Sequence, residues 1–189
     1  MLHRRAFLAS TLAVLAAPAT SQEAENLWRA LAGGGHAALM RHAEAPGTGD
    51  PPGFRLGECE TQRNLNEAGR QFSAALGAEF RRRDVRVSRV LSSEWCRCLD
   101  TARLLALGPV QTAPDALNSF FESPGDKARS TAALRNLLGS LPRDAASVLV
   151  THQVNITALT GVFPASGEIV VLRLEPDGGY AVAGRLAPR

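Results

Sequence analysis

His36-Ala37-Ala38-Leu39-Met40-Arg41-His42 is an apolar run of strand length that closes on two side chains suited to an anion. It follows Gly33-Gly34-Gly35, which ends a short helix read over residues 22–32. The triplet precedes a strand and lacks the G-K-[ST] of a phosphate loop, so it reads as a helix stop. A second run of the same kind, Ser147-Val148-Leu149-Val150-Thr151, also closes on a histidine, His152.

Between these two strands, helix periodicity runs from Asn66 through Ala68, Phe72, Ala75, Leu76 and Phe80 to Arg81-Arg82-Arg83. Those arginines fall in the last turn, where the helix dipole favours positive charge. Val85, Val87, Val90 and Leu91 predict a strand, and Ser92-Ser93 are read as capping a helix from about Glu94 to Leu107, stopped by Gly108-Pro109. Residues 109–125 read mostly as loop and residues 127–141 as helix, and His152 opens a further helix to about Leu159. Residues 169–174 and 180–183 flank Pro176-Asp177-Gly178-Gly179 as a hairpin. This alternation predicts an α/β three-layer sandwich: a mostly parallel central sheet, helices on both faces and a C-terminal antiparallel hairpin. The irregular stretch from Ala43 to Gln62 is long enough to be a functional loop.

The composition fits one globular domain, with 45% hydrophobic and 21% charged residues in a chain of 189. Basic residues number 21 against 18 acidic, and all but Lys127 are arginine. The net charge of +3 and the scattered arginines give no nucleic-acid footprint. The first 19 residues carry Arg4 and Arg5, no acid, and an apolar run from Ala6 to Ala17 that is short for a membrane span. They predict an export signal cleaved near Ala17-Pro18-Ala19, and Arg4-Arg5-Ala6-Phe7-Leu8 resembles a twin-arginine signal. Residues 20–189 then form a single domain in the periplasm or outside the cell, delivered by the twin-arginine or general secretion machinery, with no lasting membrane anchor. Without residues 1–19 the basic excess shrinks to 19 against 18.

In that oxidising setting the three cysteines predict a disulfide from Cys59 to one of the other two, with Cys96 preferred, because a bridge between Cys96 and Cys98 would be strained. Their spacing does not suit zinc, and no metal or other cofactor is expected.

Ligands gather at the carboxyl ends of strands in such sheets. Arg41-His42 and His152 lie at two strand ends, and Arg97 lies in the first turn of the helix after a third. A neutral imidazole attacks phosphorus, and two guanidinium groups hold the oxygens of a phosphoryl group in transfer. An alkoxide leaving group then needs a carboxylic acid.

Four motifs resemble the histidine phosphatase superfamily, which has a phosphoglycerate mutase-like fold. Arg41-His42-Ala43 is similar to its R-H-G, with alanine for glycine, and Leu65-Asn66-Glu67-Ala68-Gly69 to its L-[TS]-x-x-G. Ser92-Ser93-Glu94-Trp95-Cys96-Arg97-Cys98-Leu99-Asp100-Thr101-Ala102 resembles S-S-x-x-x-R-x-x-x-T-A, and Val148 to His152 resembles its late V-x-V-x-H strand. The cysteine in the loop before Asn66, together with Trp95-Cys96-Arg97, resembles an exported branch that includes lipopolysaccharide-core heptose phosphatases.

The resemblance implies a metal-independent phosphomonoesterase acting on a small-molecule or glycolipid phosphate ester. His42 is its implied phosphohistidine, and Arg41, Arg97 and His152 its phosphate pocket. Glu122 is the implied proton donor, with Glu44 as competitor and Asp115 behind it. Gln62 and Arg63, and Glu44 again, are possible substrate contacts. Mutase chemistry is disfavoured by the export signal. A periplasmic phosphate-binding or scaffold protein without turnover is the alternative, prompted by Ala43 and the unsettled acid.

Overall fold

The computed structural model describes residues 21–119 and 124–188. Residues 1–19, read from the sequence as an export signal, and Glu122, the expected proton donor, lie outside the described residues. The order is α1 (Ser21–Ala32), β1 (His36–Arg41), a 3-10 turn (Cys59–Thr61), α2 (Glu67–Arg82), β2 (Val87–Ser92), α3 (Cys96–Leu104), β3 (Val110–Thr112), α4 (Pro114–Leu117), α5 (Pro124–Gly139), β4 (Ala146–Thr151), α6 (Gln153–Thr160), β5 (Ile169–Leu174) and β6 (Tyr180–Leu186).

One sheet takes the order β3-β2-β4-β1-β5-β6. Its first four strands are parallel, and β5 and β6 add antiparallel strands beyond β1. The two-residue period of each strand divides the core between two faces. Ala38, Met40, Val90, Val148, Val150 and Val171 pack against Leu27, Trp28 and Leu31 of α1, Phe80 of α2, and Cys98 and Ala102 of α3. Ala37, Leu39, Leu91, Leu149, Val170 and Leu172 pack against Leu117, Leu134, Leu138, Ile156 and Leu159 from α4, α5 and α6. All six residues of β4 are buried, as befits a strand covered on both faces. Among the described residues no helix is long and apolar enough to cross a membrane.

Two details depart from the sequence reading. Residues 109–125, read as mostly loop, contribute edge strand β3, which pairs with β2 through Val90, Leu91 and Ser92, and the single turn α4. The helix after β2 starts at Cys96 behind Trp95, later than Glu94, and Ser92-Ser93 do not cap it. The arginines ending α2 are anchored individually: Arg83 pairs with Glu25 and Glu79, Arg82 with Glu79, and Arg81 donates to the carbonyls of Leu105 and Ala106.

Candidate active site

Register brings three strand ends level. Arg41 pairs with Thr151 across β1 and β4, and Ser92 pairs with Val150 across β2 and β4. One residue further on, the His42 amide donates to the Thr151 carbonyl at 3.0 Å and the Ser93 amide to the Val150 carbonyl at 3.0 Å. His42, Ser93 and His152 therefore leave the sheet side by side. The histidine rings meet edge to face with centroids 5.7 Å apart.

His42 is buried, and its Nδ1 lies 2.7 Å from the carbonyl of Ala43. A carbonyl only accepts, so Nδ1 carries the proton and Nε2 holds the lone pair. Burial is the main cause that lowers the His42 pKa to about 3; the Ala43 carbonyl opposes it, and the charges of Arg97, Arg41 and Arg63 add to it. The ring is thus a neutral base at physiological pH. Ala43 does not occupy the left-handed backbone region, which among non-glycine residues described holds only Asp84 and Ala106. Alanine in the glycine position of the motif therefore needs no left-handed backbone. Its amide donates to Thr101 Oγ1 at 3.0 Å, and that hydroxyl donates to the Arg97 carbonyl at 2.7 Å, tying the loop after β1 to α3.

His152 is buried, with Nε2 2.9 Å from Ser93 Oγ. Ser93 Oγ donates to Asn118 Oδ1 at 3.1 Å, an oxygen that also accepts from the Glu94 amide at 2.9 Å. The Trp95 ring lies edge-on to His152 at 5.1 Å between centroids. Desolvation first, then the charge of Arg97, holds His152 well below the ordinary histidine range. Cys98, the free cysteine, is buried with its sulfur 3.6 Å from His152 Nε2, and burial raises its pKa to about 12, so it is an inert thiol.

Arg97 is fully buried. Its Nη1 donates to Asp50 Oδ1 at 2.8 Å and to the Arg63 carbonyl at 3.4 Å. Its Nε and Nη2, and Nε of Arg41, are buried nitrogens with no hydrogen-bond partner among the described residues. A buried unpaired donor costs about 1–3 kcal/mol, and more on a charged group, so three of them at one strand edge mark an anion site. Arg41 Nη1 is fixed by the Pro164 carbonyl at 3.0 Å. Burial and the neighbouring Arg97 lower the pKa of both Arg41 and Arg63.

The other expected contacts divide. Arg63 joins the electrostatic cluster, with Nε on the Gly49 carbonyl at 2.7 Å and Nη1 on the Ala45 carbonyl. Gln62 is buried with both ends of its amide engaged: Oε1 accepts from the Cys96 amide at 3.0 Å and Nε2 donates to the Arg55 carbonyl at 2.8 Å. That caps α3 from the loop instead of reaching a ligand. Glu44 has an exposed side chain, and its carbonyl accepts from the Asn66 amide at 3.2 Å. Asp115 is exposed on α4. Cys59 and Cys96 form a disulfide, which fastens the 3-10 turn to the first residue of α3.

Asp50 was not among the residues the sequence singled out. Its carboxylate accepts from Arg97, from the Arg63 amide at 3.0 Å and from Trp95 Nε1 at 3.1 Å. Burial alone would raise its pKa, but these donors outweigh it and hold the group ionised. Nothing in Gly49-Asp50-Pro51 signals this, since the partners lie 13 to 47 residues away.

The architecture is the phosphoglycerate mutase-like α/β sandwich, with a cluster of arginines and histidines at the carboxyl edge of its parallel strands. Residues 37–121, a little under half of the chain, match the family model for the histidine phosphatase superfamily (branch 1). Among solved structures the chain is similar to the protein histidine phosphatase SixA complexed with tungstate, at 19% identity and a TM-score of 0.59, over 81% of this chain and 97% of that one. A putative SixA from Nakamurella multipartitia is similar at 19% identity and a TM-score of 0.58, over 83% of this chain and 98% of its own. A mycobacterial glucosyl-3-phosphoglycerate phosphatase is similar at 17% identity and a TM-score of 0.55, over 78% and 96%. Comparison with curated protein sequences finds no match.

Proposed function

We propose that this chain is a histidine phosphatase: a metal-independent phosphomonoesterase that works through phosphohistidine at His42. The observation that carries the reading is a neutral imidazole with its proton fixed on Nδ1, set beside arginines with buried N–H groups that find no partner among the described residues. Nε2 of His42 attacks phosphorus in line with the leaving oxygen. Arg41, Arg97 and Arg63 take up the charge on the equatorial oxygens, a role worth about 10²–10³ in rate for each well-placed donor. His152, held by Ser93, completes the pocket. Water then attacks phospho-His42 and returns the nitrogen to its starting state.

With both histidines neutral, three arginines and ionised Asp50 leave a net charge of +2 around the site, the complement of a phosphomonoester dianion. Glu122 protonates the departing alkoxide. Exposed Glu44 is the weaker choice, because its side chain faces solvent. The substrate is a phosphate monoester outside the cytoplasm, of a sugar or a glycolipid, and the protein belongs to the exported branch of the family; the leader over residues 1–19 and the disulfide support that address. Ala43 fits the R-H-A sequence without a left-handed backbone, which answers one of the two motives for a binding protein without turnover; the other is the identity of the acid, which Glu122→Gln tests.

The test compares p-nitrophenyl phosphate, a good leaving group, with an alkyl phosphate. Glu122→Gln should lower kcat on the alkyl ester by about 10²-fold, as for loss of a general acid, and leave the nitrophenyl ester within a few-fold. An equal effect on both esters would remove Glu122 from the role. Turnover that survives His42→Ala would remove the phosphohistidine reading.

A further inference from the structure

We infer that Asp50 is the positioning residue for Arg97: by holding Nη1, it turns the opposite edge of the guanidinium, Nε and Nη2, toward the phosphoryl oxygens. The inference rests on the phosphatase reading. A guanidinium offers two parallel forks, Nη1 with Nη2 and Nε with Nη2, and only the second survives when a carboxylate occupies Nη1. In this chain Nη1 is the occupied nitrogen, and Nε and Nη2 are buried with no partner among the described residues. The carboxylate is itself fixed at three points, by Arg97, the Arg63 amide and the Trp95 indole. Its side chain is 4% exposed and that of Arg97 is 0% exposed, so solvent does not offer a substitute acceptor.

Trp95 links this arrangement to the rest of the site. Its indole N–H holds Asp50, and its ring packs on His152. Arg63 contributes twice, with its backbone amide on Asp50 and its own guanidinium in the cluster. The loop from Ala43 to Gln62 therefore orients a group on α3 as well as covering it. In-line transfer needs the fork at a fixed angle to the equatorial oxygens, whereas a ground-state anion accepts a looser guanidinium. Loss of Asp50 should accordingly appear in kcat and in vanadate inhibition more than in KM or in inhibition by inorganic phosphate.

The experiment measures p-nitrophenyl phosphate kinetics, with vanadate and inorganic phosphate as inhibitors, for wild type, Asp50→Asn, Arg97→Lys and the double variant. Asp50→Asn should lower kcat and weaken vanadate inhibition by at least about tenfold while KM and phosphate inhibition stay within about threefold. In the Arg97→Lys background the same substitution should change kcat by less than about twofold, since the fork it orients is gone. Effects that multiply in the double variant, or a rise in KM at unchanged kcat, overturn the role. If Asp50→Asn does not fold, Asp50→Glu carries the comparison: a folded Glu variant with wild-type kcat also overturns it. Wild-type protein without vanadate-sensitive turnover removes the phosphatase reading and this role together, whereas vanadate-sensitive turnover with silent Asp50 variants removes the role alone.

Discussion

Opening the disulfide gives the most quantitative forecast. Cys59 and Cys96 are 37 residues apart in the chain. In the chain-entropy description, closing a loop of that length destabilises the unfolded ensemble by about 4 kcal/mol at room temperature. For a chain of this size each kcal/mol moves Tm by roughly 2–4 °C, so Cys59→Ser with Cys96→Ser should lower Tm by about 8–16 °C. Activity should fall as well, because Cys96 directly precedes Arg97. The Gln62 cap on the Cys96 amide and the Asp50 contacts with Arg97 and Trp95 persist, so the loop loosens without leaving. We expect kcat/KM to drop about tenfold, the equivalent of one positioning hydrogen bond, with far-ultraviolet circular dichroism unchanged. The assay compares thermal melts and p-nitrophenyl phosphate kinetics of the double variant, and of wild type under reductant, with those of oxidised wild type, and thiol titration confirms three free thiols in the reduced wild type. A double variant with a Tm within about 2 °C of oxidised wild type, or reduced wild type with three free thiols and an unaltered rate, would overturn this forecast.

Gly69→Ala places a Cβ 2.3 Å from the carbonyl oxygen of Glu44, the close approach that explains the glycine of L-x-x-x-G. The gain in helix propensity of about 1 kcal/mol is overwhelmed, and urea unfolding should show a net loss of about 2 kcal/mol or more. Stability should also fall on acidification: unfolded histidines take up protons near pH 6.5, whereas folded His42 resists until about pH 3 and folded His152 stays well below its ordinary range. The unfolded state then binds more protons across that window, so stability is lost as pH drops, by about 2 kcal/mol for His42 from pH 7 to pH 5, and His152 acts in the same direction. His42→Gln should flatten the slope by that amount in urea melts at the two pH values; an unchanged slope contradicts the buried neutral ring.

What was legible in the sequence were the strand ends. An apolar run closing on Arg41-His42 and another closing on His152 place those side chains at the ligand edge of a parallel sheet, and the observed register puts them there together. Strand β3 escaped because Val110-Gln111-Thr112 is short and mostly exposed, and only its pairing with β2 defines it. Ser93 was read as a helix cap from local pattern, but its hydroxyl is bound to His152 and Asn118 across the fold. Asp50 and Gln62 illustrate the same limit: one orients Arg97 and the other caps α3 through contacts with no local periodicity to betray them.

The central claim is that His42 carries the phosphoryl group. Incubating the purified mature protein with a phosphate monoester, quenching it, and mapping acid-labile phosphate by mass spectrometry tests this directly. The account predicts stoichiometric phosphate on Nε2 of His42, stable to base, lost in acid, and absent from His42→Ala. Turnover at full rate with no phosphohistidine, or label on another residue, would contradict it.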